Sequence, residues 1–234
     1  MRNIDYASKQ LNKIRNRISQ AAENVGREAS SVVLIGAAKQ QDAALCEAFC
    51  EAGLEALGEN FVQQGIERQK VIPRQRVQWH FIGKIQSNKT RLIGQHFDWV
   101  HGVDRLKVAR RFSDQSAGNS ALQILLQLNI DDEASKAGIA LNQAPQLCDQ
   151  VAQLPNLQLR GFMLIPKPNR AGAERRRPFA LAREALASVN QRYGLAMDSL
   201  SMGMSSDLED AIAEGATMVR VGTDLFGQRP AHQD

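Results

Sequence analysis

The sequence predicts an α/β protein built as a single (β/α)8 TIM-type barrel with an extra N-terminal helix. Three observations carry that reading. Eight short apolar runs, at residues 32–38, 54–58, 78–82, 99–103, 122–130, 157–165, 199–203 and 217–221, have the length and composition of strands. Helical patterns follow them in turn, and eight such units favour a closed parallel barrel over an open doubly wound sheet. The 234 residues also approach the roughly 250 that this barrel typically needs.

Taken in order, the first element is a helix. Ile4, Ala7, Leu11, Ile14, Ile18, Ala21 and Val25 recur at three- and four-residue steps among Lys, Arg and Gln, and Gly26 stops the pattern, so residues 1–26 form the N-terminal helix. Each strand candidate then closes on an unusual residue. Lys39 follows the first and Asn60 the second; His80 and His101 lie within the third and fourth. Asn129 sits near the end of the fifth and Pro166 follows the sixth. Ser201 and Gly203 end the seventh, Arg220 and Gly222 the eighth. A barrel builds its active face from the C-terminal strand ends, so these residues should meet at one mouth. Leu106, Ala109 and Phe112, and later Phe179, Ala182, Leu186, Val189 and Tyr193, mark two of the outer helices. Ser206-Asp-Leu-Glu209 has capping-box spacing ahead of another. No low-complexity linker interrupts the chain, which predicts one domain over residues 1–234, with 228–234 as a short tail.

Composition narrows the function. A net charge of +4 is too small to argue for nucleic acid, and Arg175-Arg-Arg177 reads as a solvated loop or helix start. No run is apolar enough for a membrane span or a signal peptide. Cys46, Cys50 and Cys148 form no C-x-x-C pair, and Cys46 and Cys50 share a helical pattern, so buried thiols in a reducing cytoplasm are expected. His80 and His101 have no metal-ligand spacing, and no metal site is predicted.

The chemistry lies in two distant segments. Ser31-Val-Val-Leu-Ile-Gly-Ala-Ala-Lys39 ends a strand on an amine, and a lysine amine can capture an aldehyde as a Schiff base. Ser201-Met-Gly-Met-Ser205 and Met218-Val-Arg-Val-Gly-Thr-Asp-Leu-Phe-Gly227 carry the small hydroxyls, glycines and helix start that hold a phosphate. An aldehyde and a phosphate on one ligand point to pyridoxal 5′-phosphate (PLP). Arg220, inside an apolar strand, needs an acceptor for its charge, and a structural ion pair would serve as well as a ligand. His80 and His101 read as hydrogen-bonded strand residues and Asn60 and Asn129 as loop-backbone partners. Lys89 and Lys136 read as solvated, and Glu59 as the partner of a nearby cation.

Gly58-Glu-Asn60, His80-Phe-Ile-Gly83 with Gln86-Ser-Asn-Lys89, Asn129-Ile with Ser135-Lys-Ala-Gly138, and the whole of residues 201–227 together resemble the pyridoxal phosphate homeostasis proteins. The fold of that family resembles the barrel domain of alanine racemases. The resemblance implies that Lys39 is the Schiff-base lysine, that Asn60 lies close to the cofactor ring, and that Arg220 faces the pyridine nitrogen. It also implies that Ser201, Gly222 and Thr223 cradle the phosphate. One departure stands out. Ala38 precedes the lysine and Gln40-Gln41 follow it, where the family commonly has Ser before and Thr-Lys-Pro after. A neighbouring cation and a rigid turn are thereby missing.

Two functions follow from different classes. The first is a PLP-binding protein that stores, buffers or delivers the cofactor, with apo-PLP enzymes as recipients. The alternative is a racemase-like enzyme acting on amino acids, which by fold analogy would need a second acid/base group opposite the lysine. The related racemases draw it from an additional domain across a dimer interface. Here the sequence stops 7 residues after Gly227, and Tyr6 and Tyr193 lie on helical patterns, which favours a monomeric carrier. A sugar-phosphate barrel would use the same cradle but leave Lys39 without a purpose.

Overall fold

The computed structural model describes residues 2–116, 120–131, 137–168 and 172–228. Its strands are β1 (Val33–Ala37), β2 (Ala56–Glu59), β3 (Gln78–Phe81), β4 (Trp99–Val103), β5 (Leu122–Leu128), β6 (Leu157–Leu164), β7 (Ser199–Ser201) and β8 (Met218–Val221). All pair in parallel, in chain order, and β8 returns to β1 through Ile35 opposite Arg220, closing the barrel. The described helices are α1 (Arg2–Glu23), α2 (Ala43–Glu51), α3 (Val62–Gln69), α4 (Thr90–His96), α5 (Leu106–Gln115), α6 (Ala144–Ala152), α7 (Ala173–Tyr193), α8 (Leu208–Ala213) and α9 (Thr223–Phe226). Each of the eight expected strands is present, most of them trimmed where the backbone turns into a loop.

Strand alternation sorts the side chains into two cores. Val219 and Val221 of β8 face outward into the large cluster between barrel and helices, whereas Met218 joins Ile35, Ala56, Trp99, Leu125 and Met163 inside the barrel. Above that apolar plug lie His80, His101, Ser201 and Arg220, all buried. A polar layer in the interior is costly unless it is hydrogen-bonded throughout, so its bonding decides what it is for.

Helix α1 buries Ala7, Leu11, Ile14, Ile18 and Ala21, while Ile4 and Val25 at the ends of the expected stripe are exposed. Arg17 ties this helix to the mouth loops, donating to Glu209 of α8 and Asp224 of α9 and, at 2.8 Å, to the Ser205 carbonyl. The expected capping box does not form. Helix α8 starts at Leu208, and the Asp207 carboxylate instead accepts the Met204 N–H at 2.6 Å. Glu209 is taken by Arg17. The arginine run falls in the first turn of α7, where Arg175 and Arg176 pair with Asp210 and Arg177 with Glu174. All three cysteines are free and buried. Ser135 and Lys136, and the tail beyond Gln228, lie outside the described residues.

Candidate functional site

Lys39 stands in the turn after β1. The Gln41 N–H donates to the Ala38 carbonyl at 3.1 Å, and Gln40 between them takes φ +59°, an uncommon conformation for a residue with a Cβ. The Lys39 amine lies 6.0 Å from the centroid of the Phe61 ring. Asn60, after β2, is seated by the neighbouring loop. A Cβ on Gly83 would come within 2.1 Å of the Asn60 carbonyl oxygen, so only glycine allows that loop to pack against it.

Between these turns and the last two loops lies a cavity of about 360 Å³, within the range of small-molecule sites. Lys39, Asn60, Arg220, Gly222 and Thr223 all line it, together with Ser205 and Ser206. Residues separated by more than 180 positions in sequence are thus brought to one mouth by closure of β8 on β1. An adjoining cavity of about 430 Å³ shares Lys39 and Asn60 and continues past Phe61, Lys84 and Lys89.

Ser201 is the exception. It is fully buried and does not line the cavity. Arg220 Nη1 donates to its hydroxyl and its carbonyl, both at 2.6 Å, and Nη2 donates to the Leu164 carbonyl at 2.9 Å. β7 carries Ser201 into the barrel, where it anchors Arg220 beneath the cavity. The hydroxyl-bearing residues that line the cavity are Ser205, Ser206 and Thr223. Ser205 closed the same motif, but periodicity could not tell which serine turns outward.

From Arg220 the bonding runs inward through Ser201 to the two histidines. Ser201 Oγ accepts from Arg220 and shares a second hydrogen bond with His101 Nδ1, 2.9 Å away. His101 Nε2 and His80 Nδ1 share a hydrogen bond, also at 2.9 Å, and His80 Nε2 has no partner among the described residues. Burial holds His101 well below the usual histidine range and His80 down at about 3, while burial lowers Arg220 to about 10. Both rings are neutral in the folded protein and must charge on unfolding in acid. Below the ordinary value of 6.5 the unfolded chain binds more protons, so stability should fall as pH drops. For His80 the loss is about 2 kcal/mol between pH 7 and pH 5. Urea unfolding at the two pH values measures it, and a flat profile would show that the buried rings do not set it.

The alanine racemase N-terminal domain model matches residues 10–230. The chain is 49% identical over 218 residues to a pyridoxal phosphate homeostasis protein of Pseudomonas aeruginosa, covering 93% of each. It is 43% identical to its counterpart in Escherichia coli K12, over 94% of this chain and 95% of that one. Among solved structures, PipY of Synechococcus elongatus with PLP bound superposes with a TM-score of 0.84 at 35% identity, covering 94% of this chain and all of that one. An alanine racemase from Corynebacterium glutamicum shares the fold, with a TM-score of 0.70 at 14% identity, over 99% of this chain and 63% of that one.

Proposed function

The chain belongs to the pyridoxal phosphate homeostasis protein family, and from that premise we infer that it binds PLP in the cavity beside Lys39 and serves to store, buffer or deliver it. One observation carries the reading: an amine and a set of small hydroxyls, from opposite ends of the sequence, wall the same cavity. That donor set fits a ligand with an aldehyde at one end and a phosphate at the other.

In this assignment Lys39 holds the aldehyde carbon as a Schiff base. Ser205 and Thr223, with the backbone at Gly222, take the phosphate, and loops after the last two strands are the usual phosphate site of this fold. Arg220 faces the ring nitrogen. Two of its hydrogen-bonding arms are spent on Ser201 and Leu164, while its Nε–H and a second Nη2 hydrogen have no partner among the described residues. Asn60 stands beside Lys39, at the ring edge. When bound, PLP supplies a carbonyl that an amine captures reversibly and a ring that can draw electrons from it.

A single copy of the chain supplies this whole set, in keeping with a monomer. Among the described residues no helix is long and apolar enough to cross a membrane, and no cluster of His, Cys, Asp and Glu could hold a metal. Three reduced, buried thiols fit the cytoplasm, and the pairing of Arg175, Arg176 and Arg177 with acids argues against a nucleic-acid surface. The test is direct. Protein mixed with PLP should turn yellow, and borohydride followed by peptide mapping should place a pyridoxyl group on Lys39. A label on another lysine alone, or none at saturating PLP, overturns the assignment.

A further inference from the structure

The turn that presents Lys39 is strained and lacks a proline, yet it is not free. Arg68 of α3 is nearly buried, with 5% of its surface exposed, and reaches under the turn. Its Nη2 donates to the carbonyls of Ala38 at 3.2 Å and Gln41 at 3.1 Å, the two residues that bracket Lys39 and Gln40. Its Nε donates to Glu59 Oε1 at 2.6 Å, and its Nη1 to Cys46 Sγ at 3.3 Å. Glu59 is fully buried and immediately precedes Asn60. One guanidinium therefore joins β2, α2, α3 and the Lys39 turn.

The close fit has its own sequence requirement. A Cβ on Gly65, one helical turn before Arg68, would lie 2.5 Å from the Phe97 ring and 3.3 Å from Glu59 Cγ, so glycine lets α3 approach closely enough for the arginine to pass beneath it. An ion pair is an expensive way to fill buried space, since apolar residues of the same volume would serve stability as well or better. What an apolar pair cannot do is bond two carbonyls at once. The planar fork of an arginine can.

We propose that Arg68, held in place by Glu59, is a positioning residue for Lys39: it fixes the turn through Ala38 and Gln41 and so sets where the amine meets the ligand carbonyl. In this chain it supplies the rigidity that Gln40-Gln41 do not. The proposal rests on the assignment of PLP to Lys39, and its test separates the two.

Arg68→Lys keeps the buried charge opposite Glu59 but has one nitrogen in place of the separate Nε and Nη2 that hold Glu59 and the two carbonyls. Two ligands then report different things. Pyridoxine 5′-phosphate has the ring and the phosphate without an aldehyde, and the variant should bind it within about twofold of the parent. PLP should form its borohydride-trappable adduct at Lys39 at least tenfold more slowly, since an ångström of misplacement can cost about a hundredfold. Amide exchange of the Gln41 N–H, read without any ligand, should quicken by about tenfold as the turn loosens. Arg68→Met with Glu59→Leu serves if the lysine variant folds poorly, because it removes both charges together. Equal losses for both ligands would make Arg68 merely structural, and parent-like trapping with parent-like exchange would refute the clamp. If the parent protein itself traps no PLP on Lys39, the assignment of the cofactor fails, while the exchange measurement still decides whether Arg68 holds the turn.

Discussion

Ser205→Ala combined with Thr223→Val should weaken PLP binding by about 2–4 kcal/mol, allowing about 1–2 for each hydrogen bond to a charged acceptor. That is roughly a 30- to 1,000-fold rise in Kd. Both residues line the cavity, and although the Ser205 hydroxyl also accepts from the Asp224 N–H at 3.4 Å, Arg17 on the Ser205 carbonyl holds that loop to α1 without either hydroxyl. The substitutions should therefore leave folding intact. Pyridoxal, which has the aldehyde but no phosphate, should bind the variant about as well as the parent. Ser201→Ala belongs to a different experiment, because it unties Arg220 and His101 and should weaken both ligands. Equilibrium titrations with the two ligands separate these cases. Equal losses for PLP and pyridoxal in the Ser205/Thr223 variant would show that the cavity hydroxyls support the fold rather than the phosphate.

The contrast between Ser201 and Ser205 marks the limit of what this sequence discloses. The barrel was legible because each strand is a contiguous apolar run, and contiguous patterns survive without tertiary knowledge. Lys39, Asn60, Arg220, Gly222 and Thr223 were legible because they stand at or just beyond strand ends, where topology alone directs them to the mouth. Ser201 and Ser205 both belong to a segment that leaves β7, and which one turns outward depends on the phase of strand alternation at its last residue. Glu59 was expected to find a cation, but a pair nine residues apart on a strand and a helix could not be connected to the carbonyls of Ala38 and Gln41. His80 and His101 were read as hydrogen-bonded strand residues, which they are; their link to Arg220 through Ser201 crosses the barrel interior from the neighbouring β3 and β4 to the neighbouring β7 and β8. The capping box failed for a related reason: Met204 and Arg17 outbid the helix for Asp207 and Glu209.

The protein should bind PLP and yet show little racemase, transaminase or decarboxylase turnover with the common amino acids. The argument rests on the titratable groups at hand. Among the described residues, Lys39 and Arg220 are the ionisable side chains of the cavity, and the adjoining one adds Lys84 and Lys89. His80 and His101 are both sealed inside the barrel and held neutral by burial. Tyr6 and Tyr193 lie on α1 and α7 and line neither cavity. A positioned acid or base is typically worth about 10²–10⁴-fold, so its lack leaves slow side reactions at most. Holo-protein mixed with an apo-transaminase should restore the transaminase's activity, with a trap for free PLP as control. Stereo-inversion of an amino acid at a kcat within the roughly 1–10³ s⁻¹ typical of enzymes would overturn the carrier and direct the search to Lys84 and Lys89.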